Sequence, residues 1–178
     1  MASIGKKLDS LTLRAVSPDG RIRIIVKGGG NDVALEFKPK EYEEYYKRKD
    51  SQIICDQMRK ALILIVNEFI RTHNRIFEDH GYTIYSPDRP HWHAQKRLFI
   101  EEKSQIKASG ISNDRIMRVR SVGMRKYDIA VKQGDWIEQD EEAFKQTFLS
   151  AVKNMQRDYR QKVHELKLSI LGPEIFAR

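Results

Sequence analysis

From Leu11 to Lys38, apolar and polar residues alternate with a period of two, and the alternation breaks twice, at Ser17-Pro18-Asp19-Gly20 and at Gly28 to Asp32. Successive side chains of a strand point to opposite faces, so a period of two demands a sheet covered on one side. Leu11, Leu13 and Ala15 alternate with Thr12 and Arg14. Ile22, Ile24 and Val26 alternate with Arg21, Arg23 and Lys27, and Val33, Leu35 and Phe37 with Ala34, Glu36 and Lys38. Proline presets the first φ of a turn and glycine or asparagine tolerates a positive φ, so both breaks read as hairpin turns. The pattern predicts a meander of three antiparallel strands, apolar on one face and rich in arginine and lysine on the other.

The apolar face needs a cover, and the following segment supplies one. After Asp50 or Ser51, either suited to cap a helix, Ile54, Met58, Ala61, Leu62, Ile65, Phe69 and Phe77 recur at helical spacing until Gly81. The stretch Ala61 to Val66 is apolar nearly all round, which predicts cover from the sheet and from another helix or subunit. Ser86-Pro87-Asp88-Arg89-Pro90 then has the composition of a linker. This divides the chain into a first unit at 1–81, a linker at 82–93 and a second unit at 94–178.

In the second unit, Ala94 to Ser104 reads as a short helix, after which the first pattern returns. Ser17-Pro18-Asp19-Gly20-Arg21-Ile22-Arg23-Ile24 aligns with Ser112-Asn113-Asp114-Arg115-Ile116-Met117-Arg118-Val119, and Gly28 with Gly123. With one residue fewer in the next turn, Val33, Leu35 and Phe37 align with Tyr127, Ile129 and Val131, and Tyr42 with Trp136. A second helix opens at Asp140 and carries Phe144, Phe148, Ala151, Met155, Tyr159, Val163 and Leu166 on one stripe.

The 178 residues suffice for one domain or two small ones. Lys and Arg outnumber Asp and Glu by 33 to 25, giving a formal charge of +8, which favours a polyanionic partner such as nucleic acid or an anionic membrane surface. Cys55 stands alone, so no intramolecular disulfide and no cysteine-based zinc site can form, as expected for a reducing compartment. The first seven residues lack the apolar stretch of a signal peptide, and Ala61 to Val66 is far shorter than the ~20 residues of a membrane span. The expectation is a cytoplasmic protein without a membrane partner.

Several constellations can be weighed against simpler readings. Gly28-Gly29-Gly30 follows a strand, but no Gly-Lys-Ser/Thr ending at a helix follows it, so it reads as a turn and not a phosphate loop. His91 and His93, with His73 and His80 nearby in sequence, lack the helical spacing or cysteine partner that would mark a metal site. Cys55 lies in an apolar helix, where a lone cysteine behaves as a small packed hydrophobe. The carboxylates are scattered among lysines and arginines, so no acid/base pair, cofactor site or other enzyme signature emerges. The basic strand faces remain as candidate phosphate contacts: Arg14, Arg21, Arg23 and Lys27 in the first meander, and Arg118, Arg120, Arg125 and Lys126 in the second. Lys153, Arg157, Arg160 and Lys162 add charge late in the second helix.

Ser17-Pro18-Asp19-Gly20, an alternating strand, a glycine turn, Leu35-Glu36-Phe37-Lys38-Pro39-Lys40-Glu41-Tyr42 and a helix together resemble the YbaB/EbfC family of nucleoid-associated proteins, especially its actinobacterial branch. The resemblance covers Leu11 to Phe77 and, more weakly, Ile106 to Leu166. It implies a small sheet with flanking helices, dimers with protruding helical arms, DNA binding with little sequence preference, and no catalytic residues. Two features depart from the family. The long helix that precedes the sheet is cut to the few residues before Leu11, and two family-like units stand where members hold one. The resulting expectation is an α+β fold of two antiparallel meander-plus-helix units forming a pseudo-dimer, which binds double-stranded DNA in the nucleoid. The rival expectation is a protein-interaction module that uses the apolar helix to bind itself or another protein, without nucleic acid.

Overall fold

The computed structural model describes residues 3–30, 32–136 and 139–172. Met1, Ala2 and Asn31, on which parts of the sequence reading rest, and the last six positions of the second unit lie outside them.

The fold is α+β, with two three-stranded antiparallel sheets and helices. The first half runs α1 (Ile4–Asp9), β1 (Thr12–Val16), β2 (Ile22–Lys27), β3 (Asp32–Phe37), α2 (Glu41–Arg48) and α3 (Ser51–Glu78). The second half repeats that order with α4 (Ala94–Gln105), β4 (Lys107–Ile111), β5 (Met117–Val122), β6 (Lys126–Val131), α5 (Gln133–Trp136) and α6 (Glu141–Leu171). The sheets have strand orders β1-β2-β3 and β4-β5-β6. Between the halves, residues 82–93 contain one isolated bridge, Ser86 with Arg89, and no helix or strand.

Aspartates cap both long helices. Asp50 accepts from the Gln52 N–H at 2.9 Å and Asp140 from the Ala143 N–H at 2.8 Å, satisfying amides that no helical carbonyl can reach. Each helix buries one stripe, Ile54, Met58, Ala61, Leu62 and Ile65 in α3 and Phe144, Phe148, Ala151, Val152 and Met155 in α6. The five places match one for one.

Each long helix covers two strands of its own sheet and the last strand of the other. The helix α3 packs on β1, β2 and β6, and α6 packs on β4, β5 and β3. A single core therefore runs through both halves, from Ile22 and Leu35 to Val119 and Phe148. Beyond its own sheet, α3 also meets the helix α1 and the strand β6 of the other half, and Leu64 remains 49% exposed.

The helix α2 was not foreseen. Its buried Tyr42 and Tyr45 face the junction, where Phe37, Tyr42, Phe144 and Trp136 form an aromatic cluster with centroids 5.2–6.2 Å apart. The Tyr42 hydroxyl donates to the Gln139 carbonyl at 2.9 Å and so ties the halves together.

The strand β4 lies at a sheet edge, where unpaired backbone groups invite unwanted strand pairing. One face of α6 occupies that edge. Asn154 donates to the Ile111 carbonyl at 2.7 Å, Asp158 accepts from the Ser109 N–H at 2.8 Å, and Lys162 donates to the Lys107 carbonyl at 2.9 Å. The approach is close enough that a Cβ at Gly110 would stand 2.2 Å from the Ala151 carbonyl oxygen, so only glycine fits there. Among the described residues, no helix is long and apolar enough to cross a membrane.

Candidate nucleic-acid interface

The basic strands are presented by two hairpins, each locked by the same turn. Ser17 N–H donates to the Ile22 carbonyl at 2.8 Å, and Ser112 N–H to that of Met117 at 2.8 Å. Each serine hydroxyl donates to the aspartate two residues on and accepts from the first strand amide, at 3.0 Å for Ile22 and 2.8 Å for Met117. The Asp19 carboxylate also accepts from the Arg21 N–H and from the Tyr45 hydroxyl; that of Asp114 accepts from the Ile116 N–H, Thr147 and Gln139. Partial burial alone would raise both carboxyls. The hydrogen bonds, led by Ser17 and Tyr45 for Asp19 and by Ser112 and Thr147 for Asp114, outweigh it and hold both below their ordinary value.

In the first sheet, the outward face carries Arg14, Arg23 and Lys27 together with Asp32 and Glu36. Arg23 sits opposite Glu36 in register and pairs with it at 3.4 Å; Lys27 sits opposite Asp32. Arg21 is drawn away from this face. Its guanidinium forms an ion pair with Glu41 at 3.1 Å and lies 5.7 Å over the Tyr45 ring, so it clamps α2 to the turn. The outward position between Arg23 and Lys27 is held by Ile25, only 7% exposed. The face expected to be basic is thus close to charge balance.

The second sheet differs. Its outward face carries Lys107, Arg118, Arg120 and Lys126 against a single carboxylate, Asp128. Arg120 lies opposite Asp128, but at 3.9 Å the contact is long. Arg118 has Ile111 on one side and Ala130 on the other, and Lys126 faces Val122. Among the described residues, no ion pair engages Lys107, Arg118 or Lys126. Arg125 is exposed in the turn that leads into β6.

The rim along β4 extends this charge. Asn154, bonded to the Ile111 carbonyl, accepts in turn from the Arg157 guanidinium, so Arg157 and Arg118 flank the 52% exposed Ile111. Lys153 and Arg160 are also exposed on α6. Lys162 is occupied by Asp158 and the Lys107 carbonyl, which removes it from the candidate surface.

The eight sequence candidates therefore do not form one site. Arg14, Arg23 and Lys27 share the first outward face, Arg118, Arg120 and Lys126 the second, and Arg21 and Arg125 stand in turns. Lys107 was missed because Lys107 to Ile111, with its three small residues Ala108, Ser109 and Gly110, gives little alternation of bulk. The arrangement offers an array of cations. The Cys55 thiol is buried, and burial pushes it up to about 12. The His73 ring lies between those of Phe69 and Phe77, and His91 accepts from the His93 N–H at 2.9 Å. Among the described residues, no three metal-ligating side chains cluster.

No protein-family model, curated protein or solved structure matches the chain.

Proposed function

We propose that this protein binds double-stranded DNA with little sequence preference, through phosphate contacts from the outward face of β4–β6 and the adjoining rim of α6. One observation carries the reading: Lys107, Arg118, Arg120 and Lys126 project from one sheet face that holds a single carboxylate. An array of cations of which, among the described residues, only Arg120 has an ion-pair partner suits the phosphate backbone, which is read by charge and not by base identity. The resemblance to the YbaB/EbfC family supports a nucleoid-associated role. In that reading, the repeated element order and the exchanged helix–strand packing make a pseudo-dimer within one chain. Under this proposal the protein is not an enzyme and uses no metal or cofactor, and it works in the cytoplasmic nucleoid. A gel shift on unrelated duplexes at two salt concentrations tests it. Binding that weakens steeply with salt and hardly varies with sequence is expected, whereas no binding at low salt would overturn it.

The rival reading, a protein-interaction module, draws on Leu64, the exposed member of the apolar stretch of α3. It has a narrower basis, because Ala61, Leu62 and Ile65 of that stretch are spent in the core.

A further inference from the structure

Trp92 is 80% exposed, the most exposed of the large apolar side chains described, and it stands in a segment that is tied down on both sides. Ser86 and Arg89 exchange backbone hydrogen bonds at 3.0 and 3.1 Å. The ring of the buried His91 lies 4.3 Å from that of Tyr85, and its Nδ1 accepts from the His93 N–H at 2.9 Å. The Trp92 indole is itself flanked by the His91 and His93 rings, at 5.3 and 5.6 Å. A tryptophan held in water by an ordered turn presents a large flat apolar surface whose ordering cost has already been met in the fold, which is the property of a contact residue.

The charge around it narrows the partner. The first turn of α4, directly after His93, carries Lys96 and Arg97 and no carboxylate, and both cations are exposed. Arg89 lies on the other side of the turn, paired with Glu78 at 3.4 Å. A flat ring followed by exposed cations in the next helical turn fits a ligand that combines π faces with negative charge, which describes unpaired nucleotides: the base stacks on the ring and the phosphate meets the cations. We infer that Trp92, with Lys96 and Arg97, is a stacking platform for an unpaired base of single-stranded DNA, separate from the duplex-binding sheet face. This rests on the nucleic-acid reading above, but on different residues.

The chain has two tryptophans, and Trp136 is fully buried, so a change in emission on adding a ligand reports Trp92. The test titrates the full chain with oligo-dT, with an unrelated duplex and with vesicles of mixed neutral and anionic phospholipid. Oligo-dT is expected to quench the emission. Trp92→Ala should weaken oligo-dT binding about tenfold or more while leaving duplex affinity within about twofold, and Trp92→Phe should recover most of the loss. Quenching by oligo-dT without any duplex binding would support the platform and overturn the sheet-face reading. Unchanged oligo-dT affinity in Trp92→Ala, with duplex binding intact, would overturn the platform alone. A blue shift on vesicles with no response to oligo-dT would assign Trp92 to a membrane surface instead. Absence of binding to either nucleic acid would defeat both proposals.

Discussion

Tyr45 and Gln139 hold the same place in the two halves: the Tyr45 hydroxyl donates to Oδ2 of Asp19, and Nε2 of Gln139 donates to Oδ2 of Asp114 at 3.0 Å. One comes from a regular helix and the other from the segment between two helices, yet each pins a turn aspartate that also accepts from a serine and from the amide just before the strand. The long helices complete the pattern, since Gln57 of α3 accepts from the Asp19 N–H at 3.3 Å and Thr147 of α6 donates to Asp114. These turns set where the basic strands begin.

Loss of a turn carboxylate should destabilise the fold in a pH-dependent way. Asp19 and Asp114 are both held below their ordinary value, so the stability they lend is complete above the unfolded pKa near 4 and is lost as pH falls towards the native value below it. Asp114→Asn should cost about 1.5–3 kcal/mol at pH 7, the range for hydrogen bonds to a charged group. Urea melts from pH 7 down to pH 3 should show the gap between variant and parent narrowing. A gap constant across that range would contradict the assigned network.

The shared core should melt as one unit. Ile65→Ala in α3 and Met155→Ala in α6 remove matching, fully packed side chains, and each should cost about 2–5 kcal/mol. Each should lower a single transition in calorimetry, because each helix also packs on a strand of the other half. Two separate transitions would show the halves to be independent.

Gly110→Ala should be more harmful than its size suggests. The added methyl would meet backbone of α6 at Ala151 and Met155, which cannot yield as a side chain tip does. A loss of about 3 kcal/mol or more is expected in the same melts, at the upper end for overpacking. A loss below about 1 kcal/mol would mean that α6 does not lie this close to β4.

Cys55 should be inert in the folded protein. Its thiol is buried and raised to about 12, so almost no thiolate exists at neutral pH. A thiol-reactive dye should label it at the rate of global unfolding, accelerating in urea. Rapid labelling without denaturant would place the first turns of α3 in a loosened state.

Much of this architecture was legible locally. The alternation around Ile22 to Val26 and the Pro-Asp-Gly turn marked strands and hairpin; Asp140 marked the start of the second long helix, and of the two caps open for the first, Asp50 and Ser51, Asp50 takes the role. The repeat was legible because Ser112 and Asp114 restate Ser17 and Asp19, although Arg115 takes the positive φ of 62° that Gly20 takes at 74°. What the chain kept hidden is non-local. No periodicity announces that α3 also reaches β6 of the other half. The helix α2 opens and closes on lysines with positive φ, Lys40 and Lys49, without a side-chain cap at its start, and so lacked a start signal. The candidate site was half legible: alternation found the outward arginines of both sheets, but Glu36 opposite Arg23, the burial of Ile25 and Glu41 beside Arg21 depend on register and on tertiary contact.

The charge difference between the two sheets gives the central claim its most direct test. Fluorescence anisotropy with a labelled duplex should give a log–log salt slope of roughly 0.9 per phosphate neutralised, nearly equal for unrelated sequences. Arg118→Glu combined with Lys126→Glu should weaken every duplex about tenfold or more and flatten that slope, with the melting transition unchanged because both side chains point outward. Arg14→Glu combined with Arg23→Glu, on the face already balanced by Asp32 and Glu36, should change affinity by less than about threefold. A folded Arg118→Glu/Lys126→Glu protein that binds duplex DNA as tightly as the parent would contradict the assignment of the second sheet as the DNA-binding face.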